Sequence, residues 1–334
     1  MRSLFGSRRS KVVVITGASS GIGRAAVRAF AERGARIGLI ARGVAGLEAA
    51  KCEAEARGGE AIVLPTDVAD HEQVEQAARE VDRAFGPVDV WVNDAAITAI
   101  SPVKDTRPDE FDRIMQVGYL GSVYGTLAAL RRMLPRDRGT IVQIGSALSY
   151  RGIPLNAAYC AAQHALKGFC ESLWPELKHD GSRVRMTLIR PSGINTPLWR
   201  HSLSRMPHQT KPVGRLYQPE LVADAIIYAS QHHRRTISVG YEAAKAIYGN
   251  KLAPWYADIN LARSGYERQQ VPDRPASDEA NNLWEPPAGD PGAHGPFDDV
   301  AYSRSLQYWA TTHRGLLALA GAGVAAAALS MLRR

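Results

Sequence analysis

The chain has 334 residues, an apolar fraction of 45% and a formal net charge of +8, enough for one large α/β domain with additions or two small domains. Its three cysteines, Cys52, Cys160 and Cys170, follow no metal-ligand spacing, which excludes a disulfide scaffold and predicts free thiols in a reducing, cytoplasmic setting. No basic stripe interleaved with aromatic residues accompanies the charge, so nucleic acid is not an expected partner.

Residues 1–10 read as a short basic tail without a secretory pattern. From residue 11 to about 240, strand and helix signals alternate. Apolar, strand-like runs fall at 11–16, 36–40, 61–65, 88–92, 140–144, 184–189 and 237–239. Helical patterns fill 21–33, 43–57, 70–85, 109–134, 155–179 and 218–230. Gly34, Gly58-Gly59 and Gly86-Pro87 stand where helices should stop. The alternation predicts an α/β, doubly wound parallel sheet of about seven strands with helices on both faces. Ligands in such a sheet bind at the carboxyl ends of the strands.

Thr16-Gly17-Ala18-Ser19-Ser20-Gly21-Ile22-Gly23 joins the first strand to the first helix. That order aims backbone N–H groups and the positive end of a helix at one spot, where a phosphate fits. Glycine permits the tight turn and lets a pyrophosphate approach the backbone. No Gly-Lys-Ser/Thr follows, which argues against a P-loop.

Composition changes after about residue 265, so residues 11–265 read as the main domain and 266–312 as a Pro-rich extension. Pro272, Pro275, Pro286, Pro287, Pro291 and Pro296, among many Asp, Asn and Gly, predict an irregular linker. Trp284, Tyr308 and Trp309 interrupt it and predict partial docking on the domain. Residues 313–334 read as a hydrophobic helix. Gly315 to Leu332 carries no charge, with Arg314 before it and Arg333-Arg334 after it. Eighteen helical residues reach roughly 27 Å, against a hydrocarbon core of about 30 Å. A membrane tail anchor over 315–332 is the expectation, and a helix packed on protein the other reading.

Gly145-Ser146 ends the fifth strand and Tyr159 opens the next helix, both on the rim of the glycine turn. With Asn93-Asp94-Ala95-Ala96 after the fourth strand and Pro191-Ser192-Gly193-Ile194-Asn195-Thr196 after the sixth, residues 11–240 resemble the short-chain dehydrogenase/reductase family. The resemblance implies a Rossmann-like fold and hydride transfer between a nicotinamide and a carbonyl or alcohol. Tyr159 would then be the general acid/base and Ser146 the hydrogen-bonding partner of the substrate oxygen. Gly17, Ser19, Ser20, Gly21, Ile22 and Gly23 would cradle the dinucleotide. Asp67 and Val68 would hold the adenine, Asn93 and Ala95 would line the adenosine side, and Pro191 and Thr196 would meet the nicotinamide end. It also implies a homodimer or tetramer paired through 109–134 and 155–179.

An acidic residue after the second strand suits a ribose 2′-hydroxyl, whereas an arginine suits a 2′-phosphate. Here Ala41 stands at that position and Arg42 follows, so NADP(H) is expected over NAD(H). The segment 197–206 is expected to form an apolar substrate lid. His201, His208, His232 and His233 show no metal pattern.

Four positions depart from the family pattern. Gln163 replaces the lysine one helical turn beyond the tyrosine, Gly118 aligns with an asparagine, and Asp94 and Ala96 stand for Asn and Gly. A cation near a phenol lowers its pKa from about 10, and a neutral Gln163 does not. Its amide still suits the nicotinamide ribose. The expectation is a slow carbonyl reductase that oxidises alcohols only at alkaline pH. The alternatives are a dinucleotide-binding pseudoenzyme acting as sensor or tethered interaction protein, and a fold-mate with other chemistry.

Overall fold

The computed structural model describes residues 10–276 and 280–315. Seven parallel strands form the central sheet: β1 Val12–Thr16, β2 Arg36–Ala41, β3 Glu60–Pro65, β4 Val90–Asn93, β5 Thr140–Ile144, β6 Arg185–Pro191 and β7 Thr236–Val239. Their order across the sheet is β7-β6-β5-β4-β1-β2-β3. The inner strands are nearly continuous apolar runs because both faces are covered; every residue of β1 is buried. Register aligns Val13 with both Ile37 of β2 and Val90 of β4. The order reverses between β1 and β4, which opens a crevice above their carboxyl ends.

The helices are α1 Gly21–Ala31, α2 Val44–Ala56, α3 His71–Phe85, α4 Pro108–Met115, α5 Gly121–Met133, α6 Ala157–His179, α7 Leu198–His201, α8 Pro219–Gln231, α9 Tyr241–Leu252, α10 Pro254–Ser264 and α11 Leu306–Thr312. Val27 and Phe30 of α1, Leu47 of α2 and Val222 and Ile226 of α8 bury one face of the sheet. Val81 of α3, Ala129 of α5 and Leu166 and Leu173 of α6 bury the other. Asp70 caps α3 by accepting the N–H groups of Glu72 and Gln73.

All seven expected strands form, their ends within two residues of those expected. The long helix expected over 109–134 does not form as one piece. A π-helical turn at Gln116–Leu120 separates α4 from α5 and contains Gly118. Such turns insert one residue into the helical ladder, which composition does not announce.

The extension is built into the domain rather than trailing from it. Gln270–Pro275 pairs antiparallel with His208–Thr210. Leu283, Ala293 and Phe297 are buried. Tyr308 packs on the core, while Trp284 and Trp309 stay about half exposed. Among the described residues no helix is long and apolar enough to cross a membrane. The tail expected to anchor, 315–332, lies from residue 316 onward outside the described residues.

Candidate active site

A cleft of about 1000 Å³ runs along the carboxyl ends of the strands. One end, where the sequence leads one to expect the nucleotide, is walled by Gly17, Ser19, Ser20, Gly21 and Ile22 of the glycine loop, with Arg42, Asp67, Val68 and Ala95. Thr16 Oγ1 accepts the N–H groups of Asp94 and Ala95 at 3.0 and 3.1 Å, tying the loop after β4 to β1. Gly17 has φ +72°, and a Cβ there would stand 3.1 Å from Ala95 N. At Gly23 a Cβ would meet Gly17 O at 2.3 Å. The glycines thus allow the loop to fold against itself and leave the space above it open. Gly23 lies behind the wall rather than on it.

Fully buried Arg24 holds this arrangement. Its guanidinium donates to Gly46 O at 2.7 Å, Ser19 O at 3.2 Å and Glu53 Oε2 at 3.0 Å. Glu53 is pulled down to about 2: burial opposes its charge, but Arg28 and Arg24 outweigh that penalty.

The other end of the cleft carries Ser146, Tyr159 and Gln163. Ser146 follows β5 and starts a single turn, Ala147–Ser149, where its Oγ accepts Leu148 N–H at 3.1 Å. Tyr159 lies in the first turn of α6 and lines the cleft with Ser146, whose hydroxyl favours the phenolate. Burial pushes the phenol up to about 12, against the lowering effect of Ser146, and no cation stands among the groups that act on it. Burial also raises the neighbouring Asp94 carboxyl well above its ordinary value. Gln163 is 2% exposed, and its Oε1 is buried without a partner. Pro191 and Thr196 also line the cleft, Thr196 beside the glycine loop, within 3.2 Å of where a Gly21 Cβ would be.

Three expected cofactor residues are otherwise engaged. Asn93 does not reach the cleft; it accepts Trp91 Nε1–H at 2.8 Å and donates to Ser122 O and Thr126 Oγ1, tying β4 to α5. Asp67 lines the cleft, but its Oδ2 accepts from Arg113 at 2.6 Å and its Oδ1 accepts Ala69 N–H. Arg42 is at the nucleotide end, yet it donates to the carbonyls of Asn282 at 2.5 Å and Trp284 at 2.6 Å.

Several contributors were not legible. Arg113, buried on α4, is not on the cleft wall but reaches Asp67 Oδ2, which is, and Leu283 O. Asn195 is fully buried and fastens the extension: it donates to Asp298 Oδ1, and its Oδ1 accepts Phe297 N–H at 3.1 Å. The helices α9 and α10 supply Ala246, Leu252, Tyr256 and Leu261 to the far wall. Their sequences have weak apolar periodicity, and α10 buries no residue, so pattern alone hides them. Leu198 and Trp199 of the expected lid line the cleft, and Leu203–Ser204 pairs with Ala99–Ile100.

This combination of a doubly wound sheet, a glycine loop and a hydroxyl–phenol pair on one rim defines a dinucleotide-type oxidoreductase site. Residues 11–206 match the model of the short chain dehydrogenase family, and the chain belongs to that family. It is 32% identical over 304 residues to an uncharacterised oxidoreductase, YxnA, of Bacillus subtilis, covering 90% of this chain and 84% of that protein. It is 35% identical over 274 residues to mouse dehydrogenase/reductase SDR family member 7B, covering 78% and 83%. Among solved structures it resembles a metagenomic short-chain oxidoreductase in complex with NADP, at 29% identity and TM-score 0.59 over 70% of this chain and 98% of the other. It also resembles an alcohol dehydrogenase of Thermococcus sibiricus complexed with 5-hydroxy-NADP, at 26% identity and TM-score 0.60 over 69% and 96%.

Proposed function

We propose that the protein is an NADP(H)-dependent oxidoreductase that interconverts an apolar carbonyl compound and its alcohol, favouring reduction. The observation that carries this reading is the Ser146–Tyr159 hydroxyl pair in one cleft with the Gly17-to-Ile22 loop. The residues present fit a dinucleotide: the glycine loop folds tightly enough to put Gly17, Ser19, Ser20, Gly21 and Ile22 on the cleft wall, and the orphaned Gln163 Oε1 offers an acceptor for a ribose hydroxyl. NADP(H), when bound, supplies or takes the hydride. Arg42 at the end of β2 and the NADP-complexed structural relatives favour the phosphorylated form.

In reduction, Tyr159 donates its proton to the substrate oxygen as the carbonyl carbon receives hydride, and Ser146 holds that oxygen by a hydrogen bond. The high phenol pKa keeps Tyr159 protonated at neutral pH, which suits the acid role. In oxidation the phenolate must take the hydroxyl proton, and burial disfavours that form. Leu148, Ile153, Leu216 and Leu252 on the wall favour an apolar substrate.

The test is a titration of the purified chain with NADPH and NADH by fluorescence, followed by turnover on a panel of aldehydes and ketones. Tight NADPH binding with no turnover on any of them favours the second reading, a dinucleotide-responsive sensor. Neutral Gln163 beside a phenol at about 12 is the observation that supports it. Pairing of two copies through α5 and α6 is proposed on the family resemblance and is tested by the mass in solution.

A further inference from the structure

The segment 281–298 crosses the cleft as a strap. At its far end Gly292 O accepts Gly21 N–H at 3.1 Å, and Gly295 N–H donates to Asn195 O. At its near end Leu283, 1% exposed, is plugged into the core beside Val68 and Ile97. Asn282 beside the near anchor, and Pro286, Pro287 and Pro291 between the two, line the nucleotide end.

The near anchor has an unusual composition. Two guanidiniums converge on one carbonyl: Arg113 Nε donates to Leu283 O at 3.1 Å and Arg42 Nη1 at 3.5 Å. Arg42 spends its remaining bonds on Asn282 O and Trp284 O. Arg113 also lies 5.9 Å from the Trp284 ring centroid. Among the described residues Asp67 is bonded to Arg113, and Glu285 acts on Arg42 through space without a bond. Backbone carbonyls are neutral acceptors, and guanidinium bonds to phosphate are roughly twice as strong as neutral ones. Arg42 therefore spends its donors on neutral acceptors where a phosphate monoester attached to the adenosine ribose belongs.

The geometry points to Arg42 and Arg113 as a two-guanidinium site for the 2′-phosphate of NADP(H), one that the strap carbonyls of residues 282–284 occupy in competition with that phosphate. This inference rests on the dinucleotide reading above and adds a residue to it, Arg113, and a consequence. A 2′-phosphorylated ligand takes the donors and frees the near end of the strap. A ligand without that phosphate leaves the latch fastened. The strap therefore distinguishes the two nicotinamide cofactors by a change in its own order, separate from any turnover.

Hydrogen exchange of the full chain, read by mass spectrometry with 2′,5′-ADP or 5′-AMP, tests this, since the two probes differ only in the 2′-phosphate. Saturating 2′,5′-ADP should raise exchange over 281–287 several-fold, and 5′-AMP should leave it unchanged. Arg113→Ala should weaken 2′,5′-ADP binding by about tenfold or more, the loss of one charge-assisted pair, with 5′-AMP unaffected. Leu283→Ala loosens the strap and keeps both arginines, so it should tighten 2′,5′-ADP several-fold. Unchanged or slower exchange over 281–287 at saturation overturns the proposal. So does an Arg113→Ala protein that binds 2′,5′-ADP as well as or better than the parent, because the arginines then only fasten the strap. Should Leu283→Ala fail to fold, the exchange experiment and Arg113→Ala still decide. Binding of neither probe nor of NADPH or NADH removes the dinucleotide reading itself. Equal binding of both probes removes the phosphate site alone.

Discussion

Gln163 stands one turn beyond Tyr159 on α6, on the same side of the helix and on the same cleft, with its amide oxygen buried and unpartnered. The position where a cation would lower the phenol therefore holds a neutral group. The phenol is left to burial, which raises it to about 12.

Gln163→Lys should restore the missing charge. A cation at this distance lowers a neighbouring acid by about 1–3 units, so the phenolate fraction at pH 8 should rise roughly 10- to 1000-fold. Alcohol oxidation should rise with it, and reduction should change little. Rates in both directions at pH 8 check this. An unchanged oxidation rate, with NADPH binding retained, would show that Tyr159 is not the base.

The parent's pH profile follows from the same shift. Reduction needs the phenol, which is fully protonated at every pH well below 12, so its profile should be flat from pH 6 to 9. Oxidation needs the phenolate, whose fraction grows about tenfold per pH unit below the pKa. A plot of log kcat/KM for oxidation should climb with unit slope through pH 10. A plateau near pH 8 would place the pKa far lower than burial predicts.

Asn93→Ala should cost stability rather than affinity. Its side chain satisfies the buried Trp91 indole and Thr126, and a Gly125 Cβ would sit 2.1 Å from its Oδ1, so the amide fills a fitted slot. Leaving these groups unpaired costs about 1–3 kcal/mol. Denaturant unfolding should show that loss while the NADPH dissociation constant stays within twofold. A tenfold weaker constant would return Asn93 to the cofactor wall.

The sheet was legible because strands covered on both faces must be largely apolar, as Val12 to Ile15 and Ile141-Val142 are. The glycine loop, Ser146 and Tyr159 were legible because a tight turn and a strand–helix rim constrain residue type locally. Asn93 misled because a polar residue after a strand reads alike whether it faces a ligand or a neighbouring helix. The strap was illegible for the opposite reason. It docks through backbone carbonyls on Arg42 and through three scattered apolar residues, Leu283, Ala293 and Phe297, and a composition rich in Pro, Gly and Asp looks the same docked or free.

Gly295→Ala tests the strap's far anchor. The added Cβ would lie 2.4 Å from Thr196 O and 2.7 Å from Asn195 Oδ1, and neither a backbone carbonyl nor a fully buried asparagine yields easily. The strap should lift from Asn195, exposing Phe297. Hydrogen exchange over 292–300 should rise several-fold, with exchange in β1 and α1 unchanged. An unaltered profile would mean that the strap is held elsewhere.

His294 should make that anchor weaken with rising pH. Its ring bonds Asp298 Oδ1 at 2.7 Å and Glu220 Oε1 at 2.8 Å, pinning the strap to α8. Burial opposes the charged ring, but the two carboxylates outweigh it, so the folded pKa lies above the ordinary 6.5. Arg28, 3.9 Å from Glu220, is the cation that competes for the same carboxylate. A group raised in the folded state contributes fully below its unfolded pKa and loses that contribution as pH rises through the folded value. Exchange over 292–300, corrected for the intrinsic rate, should therefore be slow at pH 6 and faster at pH 8.5. In His294→Gln it should be fast at both. Equal protection at the two pH values in the parent would show that Asn195 and the buried Phe297 hold the strap without help from the imidazolium.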